Sequence, residues 1–581
     1  MDTMELPARA AARRAVGARA DAQTTVAIDP GDASPNIAAL FAAASAAAVL
    51  AACGGGGDSA PAPGAPAAPP AVPTTTAEAA RFLLQAQFAS SDVDVAAVAS
   101  QGYAAWLSAQ FSAAASTTGW DYLIAKGYNV SGFENNSAIA DNMIWAQLIE
   151  SPDALRKRVA LALSEIFVVS TTGIDVQSRA FAMAAWWDLL VANAFGNYRS
   201  LLEAVTLNPA MGVYLNTRGN QKEDAATGRQ PDENYGREVM QLFTIGLYQL
   251  NDDGSVKTGG DGKPLETYDL ATVTNIARTF TGWDFDKTGS TAITNPLQVR
   301  TPMALIASRH STLAANFLGA SVPANTEGRA ALKITLDTLA NHPNNGPFFG
   351  RQLIQRLVTS NPSAGYVSRV AAAFNNDGTG VRGNLKAVIS AVLLDPEARA
   401  ASGLTSSTWG KLREPMVRFV QWARSFKAVP AGVWAVGDLS DTATRLGQSP
   451  LRSPSVFNFF RPGYVPQGAG FTANGLVAPE LQIVNESTVA AWVNFMQGAV
   501  QNGSGGLVAD YSTEIALAAD PAALMNRLNL LLAANQLSAA TVSTIAAAIT
   551  SINASTAAGQ KTRVQAAVLL VLASPEYLAQ K

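Results

Sequence analysis

Helical periodicity runs through most of the chain. In SPDALRKRVALALSEIFVV (151–169) the apolar residues Leu155, Val159, Ala162, Leu163 and Ile166 recur at three- and four-residue steps, which places them on one helix face. Ser151 stands where an N-cap belongs and Pro152 at the first helical position. The same period predicts helices over 183–194, 198–207, 233–245, 269–280, 328–341, 347–359, 363–375, 384–394, 411–427, 480–498 and 561–573. Another opens at AEAARFLLQAQFA, where Thr75-x-x-Glu78 has the form of a capping box. LKAVISAVLLDPEARA (385–400) and VQAAVLLVLASPEYLA (564–579) echo each other: an apolar helix stops, and a second begins with Pro at its first position and Glu in its first turn. Strand-like alternation is confined to LYQLNDDGSVKTGGDGKPLETY (247–268), whose Asp253-Gly254 and Asp261-Gly262 dipeptides suit a small hairpin. The pattern predicts an all-α, multi-helix body, orthogonal or bundle-like, with a small β-hairpin insertion near 247–268.

Ahead of the first helix the pattern changes. Gly54 to Thr76 reads GGGGDSAPAPGAPAAPPAVPTTT, a composition that cannot bury enough apolar surface to offset ordering entropy, so a disordered linker is expected. Before it come Arg9, Arg13, Arg14 and Arg19, then the apolar run from Ile37 to Ala52, too short to span a bilayer comfortably, and then Cys53. Leu50-Ala51-Ala52-Cys53 resembles the lipobox of bacterial lipoproteins, which makes Cys53 the lipidation candidate and the chain an expected membrane-anchored export. Gly54, rather than Asp, follows the cysteine, and by resemblance to diderm lipoproteins this favours the outer membrane, or a lipoprotein facing the periplasm. The expected organisation is an export segment over 1–52, a linker over 53–76 and a helical body over 77–579; if the body divides, the boundary falls near 285–325 or 400–410.

Composition narrows the chemistry. With 581 residues, 48% hydrophobic and 15% charged, the chain can bury a large core, and a net charge of -3 gives no basic surface for nucleic acid. Its one cysteine excludes internal disulfides and, being the lipidation candidate, leaves no cysteine nucleophile. The chain contains no Gly-x-Ser-x-Gly, Ser-x-x-Lys, Walker or His-Glu-x-x-His motif, and its only histidines, His310 and His342, cannot form a three-histidine zinc site. No cofactor and no metal is expected. GTGVRG (378–383) fits a dinucleotide fingerprint in spacing, but an Ala-rich helical pattern enters it where a strand is required, so it reads as an interhelix loop.

The densest chemistry lies in PDENYGREVMQLFTIG (231–246). Asp232 fits an N-cap and Gly246 the residue just past the helix end. At 100° per residue Tyr235, Val239, Leu242 and Phe243 form the core stripe, Asn234, Glu238 and Gln241 border it, and Glu233 pairs with Arg237 on the opposite side. Glu238 is therefore expected to be half-buried, either as a paired carboxylate that orients helices or as a functional acid or metal ligand.

The run Asp232-Glu233-Asn234-Tyr235-x-Arg237-Glu238, then Leu242-x-Thr244-x-Gly246 and Phe280-Thr281-Gly282-Trp283, resembles the bacterial family catalogued as domain of unknown function 1800. The resemblance continues in LNPAMGVYLN (207–216), NHPNNGPFFGRQLIQRLVTSNP (341–362), GKLREP (410–415) and SPSVFNFFRPGYVP (453–466), and covers about residues 78–579. It implies an exported, largely helical protein without established activity, often accompanied by a secreted sulfatase-like partner. The family's histidine positions map to His310 and His342, but where relatives tend to carry His-Asp-x-Gly-x-Lys this chain has His310, Ser311, Leu313 and Ala315.

His342, before Pro343, reads as a loop histidine capping the preceding carbonyls. GKLREP reads as a helix start, with Lys411 and Arg413 solvated or salt-bridged; FNFFRPGY reads as aromatic packing, with Arg461 an alternative anion ligand. Two functions are then expected. One is a surface or periplasmic binding or assembly protein, with a polymer or carbohydrate ligand and the sulfatase-like partner, using Asn234, Tyr235, Lys411, Arg413 and Arg461. The other is a hydrolase or lyase on an extracellular polymer, with Glu238 or Glu233 as acid or base, Arg237 orienting, and His310 or His342 on a proton path.

Overall fold

The computed structural model describes residues 72–581. Cys53, the arginines before it, the apolar run and the linker as far as Ala71 lie outside the described residues.

The predicted capping box is present: the Thr75 hydroxyl accepts from the Glu78 amide, the Glu78 carboxylate receives the Thr75 amide, and the helix Thr76–Ala86 begins there. Helices then dominate, and the sheets are all two-stranded. Tyr198–Leu207 shows the local logic. Asn197 caps its amides, Tyr198, Leu201, Leu202 and Val205 fill one buried face, and the Asn208-Pro209 step ends it while capping and starting Pro209–Tyr214. The two echoed segments do restart helices at proline, Pro396–Arg399 and Pro575–Leu578. GTGVRG is the loop between Ala364–Asn375 and Leu385–Leu394, with Gly378, Gly380 and Gly383 all at positive φ.

Helix boundaries differ from the expectation at several places: Arg179–Asn193 and Ala557–Ala573 each begin four residues before the expected start, and four further differences follow from the contacts made. The helix expected from Ser151 starts at Ala154, because Ser151 ends Ala138–Glu150 and the Asp153 carboxylate is used by the Ser116 amide and the Arg156 and Lys157 cations. The helix expected from 411 starts at Pro415, because Lys411–Leu412 pairs antiparallel with Ala579–Gln580 at the other end of the body. The helix expected from 480 starts at Glu486, where Asn485 and Thr488 form a reciprocal cap. In 233–245 only Asn234–Glu238 is α-helical, and Val239–Thr244 is a π-helix.

The insertion at 247–268 folds back twice. Bridges Tyr248↔Glu266, Leu250↔Val256 and Thr258↔Pro264 join its arms, and Gly254 and Gly262 turn it at positive φ. Further pairs, such as Ala315–Phe317 with Ala320–Val322 and Val429–Pro430 with Leu507–Val508, are only two or three residues long, too short for alternation to register.

Buried apolar side chains form one contiguous cluster from Ala79 to Tyr577. The helix Pro415–Ser425 lies within it, packed against both Ala138–Glu150 and Pro521–Ala533. Among the described residues no helix is long and apolar enough to cross a membrane.

Candidate functional site

The acidic stretch that dominated the sequence is pinned by its backbone. Asn220 brackets Asp232, accepting its amide at 2.8 Å and donating to its carbonyl at 3.1 Å, and the Asp232 carboxylate accepts the Asn234 amide at 2.8 Å. Glu233 reaches Arg237 at 3.3 Å and accepts from the Thr274 hydroxyl at 2.7 Å; this pair is partly exposed. Tyr235 is buried and donates to Thr206 at 2.7 Å, while Gly236 lets this short helix approach Ile276. Glu238 is buried, Oε2 receives no hydrogen bond, and burial raises its pKa against the pull of Arg237.

The π turn has a consequence next door. Its wider turn, closed by the Thr244 hydroxyl on the Val239 carbonyl at 2.6 Å, has Gln241 and Leu242 lining a cavity, with Leu242 also packed against the core. Gly246 ends it with φ 71°, and its amide donates to the Met240 carbonyl. A Cβ here would sit 2.8 Å from a Phe348 ring carbon. Gly246→Ala is expected to destabilise the fold by about 1–2 kcal/mol for the left-handed backbone alone, before overpacking. A urea midpoint matching wild type would refute this.

The histidines have separate surroundings. His310 is buried with Nδ1 2.9 Å from the Thr281 carbonyl, and the next residue, Ser311, donates to Glu223 at 2.9 Å. His342 Nδ1 accepts the Asn344 amide at 3.2 Å, so it caps the helix that follows. The preceding carbonyls, which His342 was expected to cap, are taken by Arg382, on Ala340 at 3.1 Å and His342 at 2.9 Å. Burial, helped by Arg382, holds His342 below the usual imidazole range. Glu238, His310 and His342 thus have separate surroundings: Glu238 only the charge of Arg237, His310 Thr281, and His342 Asn344 with Arg382. Among the described residues no group of three or more His, Cys, Asp or Glu could hold a metal ion.

A different set of side chains converges. A cavity of about 400 Å³ opens between the 247–268 insertion, the helix Asn345–Leu357 and the loop around Arg461. Its walls are mostly apolar, including Ile166, Leu242, Leu250, Val256, Phe348 and Val456. Its polar lining includes Gln352, Arg351 and Arg461, with Glu165 and Arg356 also lining it. Asn344 ties the insertion to the helix start through the Leu250 amide and the Ile245 and Tyr248 carbonyls. Gln355 ties the loop to the same helix by donating to the Pro462 carbonyl at 3.2 Å.

Behind Glu165 and Arg356 lies a buried charge network. Arg356 Nε lies 3.2 Å from Glu165 Oε2, and Nη2 donates to the Glu165 carbonyl at 2.8 Å. Lys411 reaches Glu480 at 3.0 Å and Glu414 at 3.7 Å, and donates to the Arg356 carbonyl, which also accepts from Arg158. Those donors sit at the C-terminal end of Asn345–Leu357, where cations oppose the helix dipole. Neither Glu165 oxygen nor Glu414 Oε1 has a hydrogen-bond partner, and the Glu414 charge acts on Glu165. Burial, then the Glu414 charge, pushes Glu165 well above the ordinary carboxyl range. Glu414 is also buried, but Lys411, Arg158 and the hydrogen bond from Gln448 hold it below that range. Of the two, Glu165 is the one held toward its neutral form.

Of the residues read from sequence, Lys411 belongs to this buried network, Arg461 lines the cavity, and Arg413 is buried over the Tyr577 ring while donating to the Leu532 carbonyl. Arg351, Gln352, Arg356, Glu165 and Glu480 were not singled out. For the first three a signal was present: in GRQLIQRL the polar groups fall at i, i+1 and i+5, on one border of an apolar helix. Glu165 offered none, standing inside an apolar run.

A family model described as "Protein of unknown function (DUF1800)" matches residues 81–579. No curated protein and no solved structure matches the chain.

Proposed function

We propose that this chain, which belongs to the DUF1800 family of proteins of unknown function, is an exported, lipid-anchored binding protein whose ligand occupies the cavity beneath the 247–268 insertion. One observation carries the proposal: a mainly apolar cavity of about 400 Å³, within the size range of small-molecule sites, lined by a few polar groups on three separate segments. The Cys53 lipobox and the linker after it support a placement on the outer membrane or facing the periplasm. The secreted sulfatase-like partner implied by the resemblance would then supply chemistry that this chain lacks.

A catalytic reading, a hydrolase or lyase, keeps one favourable observation, the Glu165 carboxyl in the cavity lining, which burial pushes well above the ordinary carboxyl range. It lacks a second group at the cavity, because Glu233, Glu238, His310 and His342 are not among its lining residues. Binding is therefore the favoured function.

The test is a thermal-shift screen of purified protein against acyl, aromatic and saccharide compounds, repeated on Leu250→Trp, which fills the cavity. Ligands that raise the melting temperature of wild type but not of the variant are expected. Ligands indifferent to Leu250→Trp, or no ligand at all, would refute binding at this cavity.

A further inference from the structure

Among the groups lining the cavity, hydrogen-bond donors are left without acceptors. Arg351 is half-buried and, among the described residues, its guanidinium makes no ion pair or hydrogen bond; burial pulls it below the usual arginine range. A desolvated cation without a counter-charge is costly to keep. Arg461 is exposed, its Cζ lies over the Phe457 ring 4.4 Å from the centroid, and among the described residues its guanidinium makes no ion pair or hydrogen bond. A guanidinium held over an aromatic ring with no protein acceptor is free to take an oxyanion. Gln352 is buried, and its amide nitrogen has no acceptor. The one carboxyl in the lining, Glu165, lies 3.2 Å from Arg356 Nε, and burial with the Glu414 charge opposes its ionisation, which weakens its competition for these donors.

The walls constrain the rest of the ligand. Ile166, Leu242, Leu250, Val256 and Val456 offer no partners for the many hydroxyls of a sugar, and each hydroxyl left unpaired would cost affinity.

We propose that the cavity takes a small amphiphilic anion, a carboxylate or sulfate head held by Arg351, Arg461 and the Gln352 amide, with an aliphatic or aromatic body against the apolar walls. This rests on the cavity being a binding site, as proposed above. It replaces a polysaccharide by an acyl or aryl acid as the class of ligand.

The experiment uses octanoate, octyl sulfate and, as the uncharged analogue of equal chain, octanol, titrated calorimetrically into wild type, Arg351→Met/Arg461→Met and Leu250→Trp. In wild type both anions are expected to bind at least about tenfold more tightly than octanol. In the double arginine variant that preference is expected to vanish while octanol affinity is retained, and the retained octanol binding also reports that the variant is folded. Equal affinity of anion and alcohol in wild type would overturn the anion site yet leave the cavity standing, provided Leu250→Trp abolishes both. Anion affinity unchanged in the double variant would likewise overturn it. Binding that Leu250→Trp leaves untouched would instead remove the cavity itself.

Discussion

Lys411→Met is expected to destabilise the protein by about 3–5 kcal/mol, the usual consequence of removing one member of a buried, hydrogen-bonded charge set. Lys411 is almost fully buried, and its ammonium is shared between Glu480 at 3.0 Å, Glu414 at 3.7 Å and the Arg356 carbonyl at 2.8 Å. Methionine matches its length, so packing is nearly kept and the loss is electrostatic. Two buried carboxyls then face one another without the cation between them, and a helix-terminal carbonyl loses a donor. Burial already raises Glu480 above its ordinary range, with Lys411 the main opposing influence, so in the variant its carboxyl should rise further. A group whose folded pKa is raised contributes stability that is lost as pH rises through that value. The penalty should therefore be larger at pH 8 than at pH 5, and Glu480→Gln added to Lys411→Met should recover part of it. Urea unfolding of the three proteins at both values measures this. A loss below about 1 kcal/mol at pH 8 would mean that solvent reaches the network and screens it.

The regular parts of the body were legible because they follow from periodicity alone. Tyr198–Leu207 and Gly328–Asn341 fall where the apolar spacing placed them, and the Thr75 capping box and the Asp-Gly turns of the insertion follow from local chemistry. Boundaries set by distant contacts were not legible. Lys411 was assigned to a helix because nothing near it in sequence announces its strand pairing with Gln580. The π turn belongs to the same category: Val239–Thr244 has an ordinary helical pattern, and only the structure shows that its turn widens beside the cavity.

The site divides in the same way. Glu238 drew the sequence reading because its own segment is dense with acid and base, and local density is all that a linear pattern offers. The cavity draws instead on segments remote from each other: Ile166, Leu242, Phe348 and Arg461 share no motif. Yet several stretches quoted for the family resemblance do meet there. PDENYGREVMQLFTIG supplies Gln241 and Leu242, GRQLIQRL supplies Arg351 and Gln352, FNFFRPGY supplies Phe457 and Arg461, and GKLREP supplies Lys411 and Glu414 behind Arg356. Their roles become readable only jointly, since Arg351 is unusual for lacking a partner and Glu165 for having Glu414 as one.

Glu165→Gln is expected to be nearly neutral for stability in acid and increasingly stabilising as pH rises. Glu165 has an ordinary value of 4.5 and a folded value well above it, because burial and then the Glu414 charge oppose its ionisation more than Arg356 and Arg158 favour it. Below 4.5 the side chain is protonated in folded and unfolded chains alike, and glutamine, with an N–H to offer Glu414 in place of the O–H, changes little. Above 4.5 the unfolded chain releases its proton while the folded chain keeps it, so the folded state binds more protons and wild-type stability falls with pH. The fall ends once pH has passed the folded value. Glutamine cannot titrate, so the difference between variant and wild type should grow from pH 4.5 upward and then level off, an effect that other raised carboxyls, common to both proteins, cannot mimic. Unfolding by urea across pH 4 to 9 reads it directly. If the variant is instead destabilised by a constant amount, or most destabilised at high pH, then Glu165 is ionised and serves chiefly as the counter-ion of Arg356 at 3.2 Å. The two cases also differ at the cavity. With Glu165 neutral, octanoate affinity in wild type should weaken as pH rises through its ionisation, whereas Glu165→Gln should hold that affinity constant over the same range.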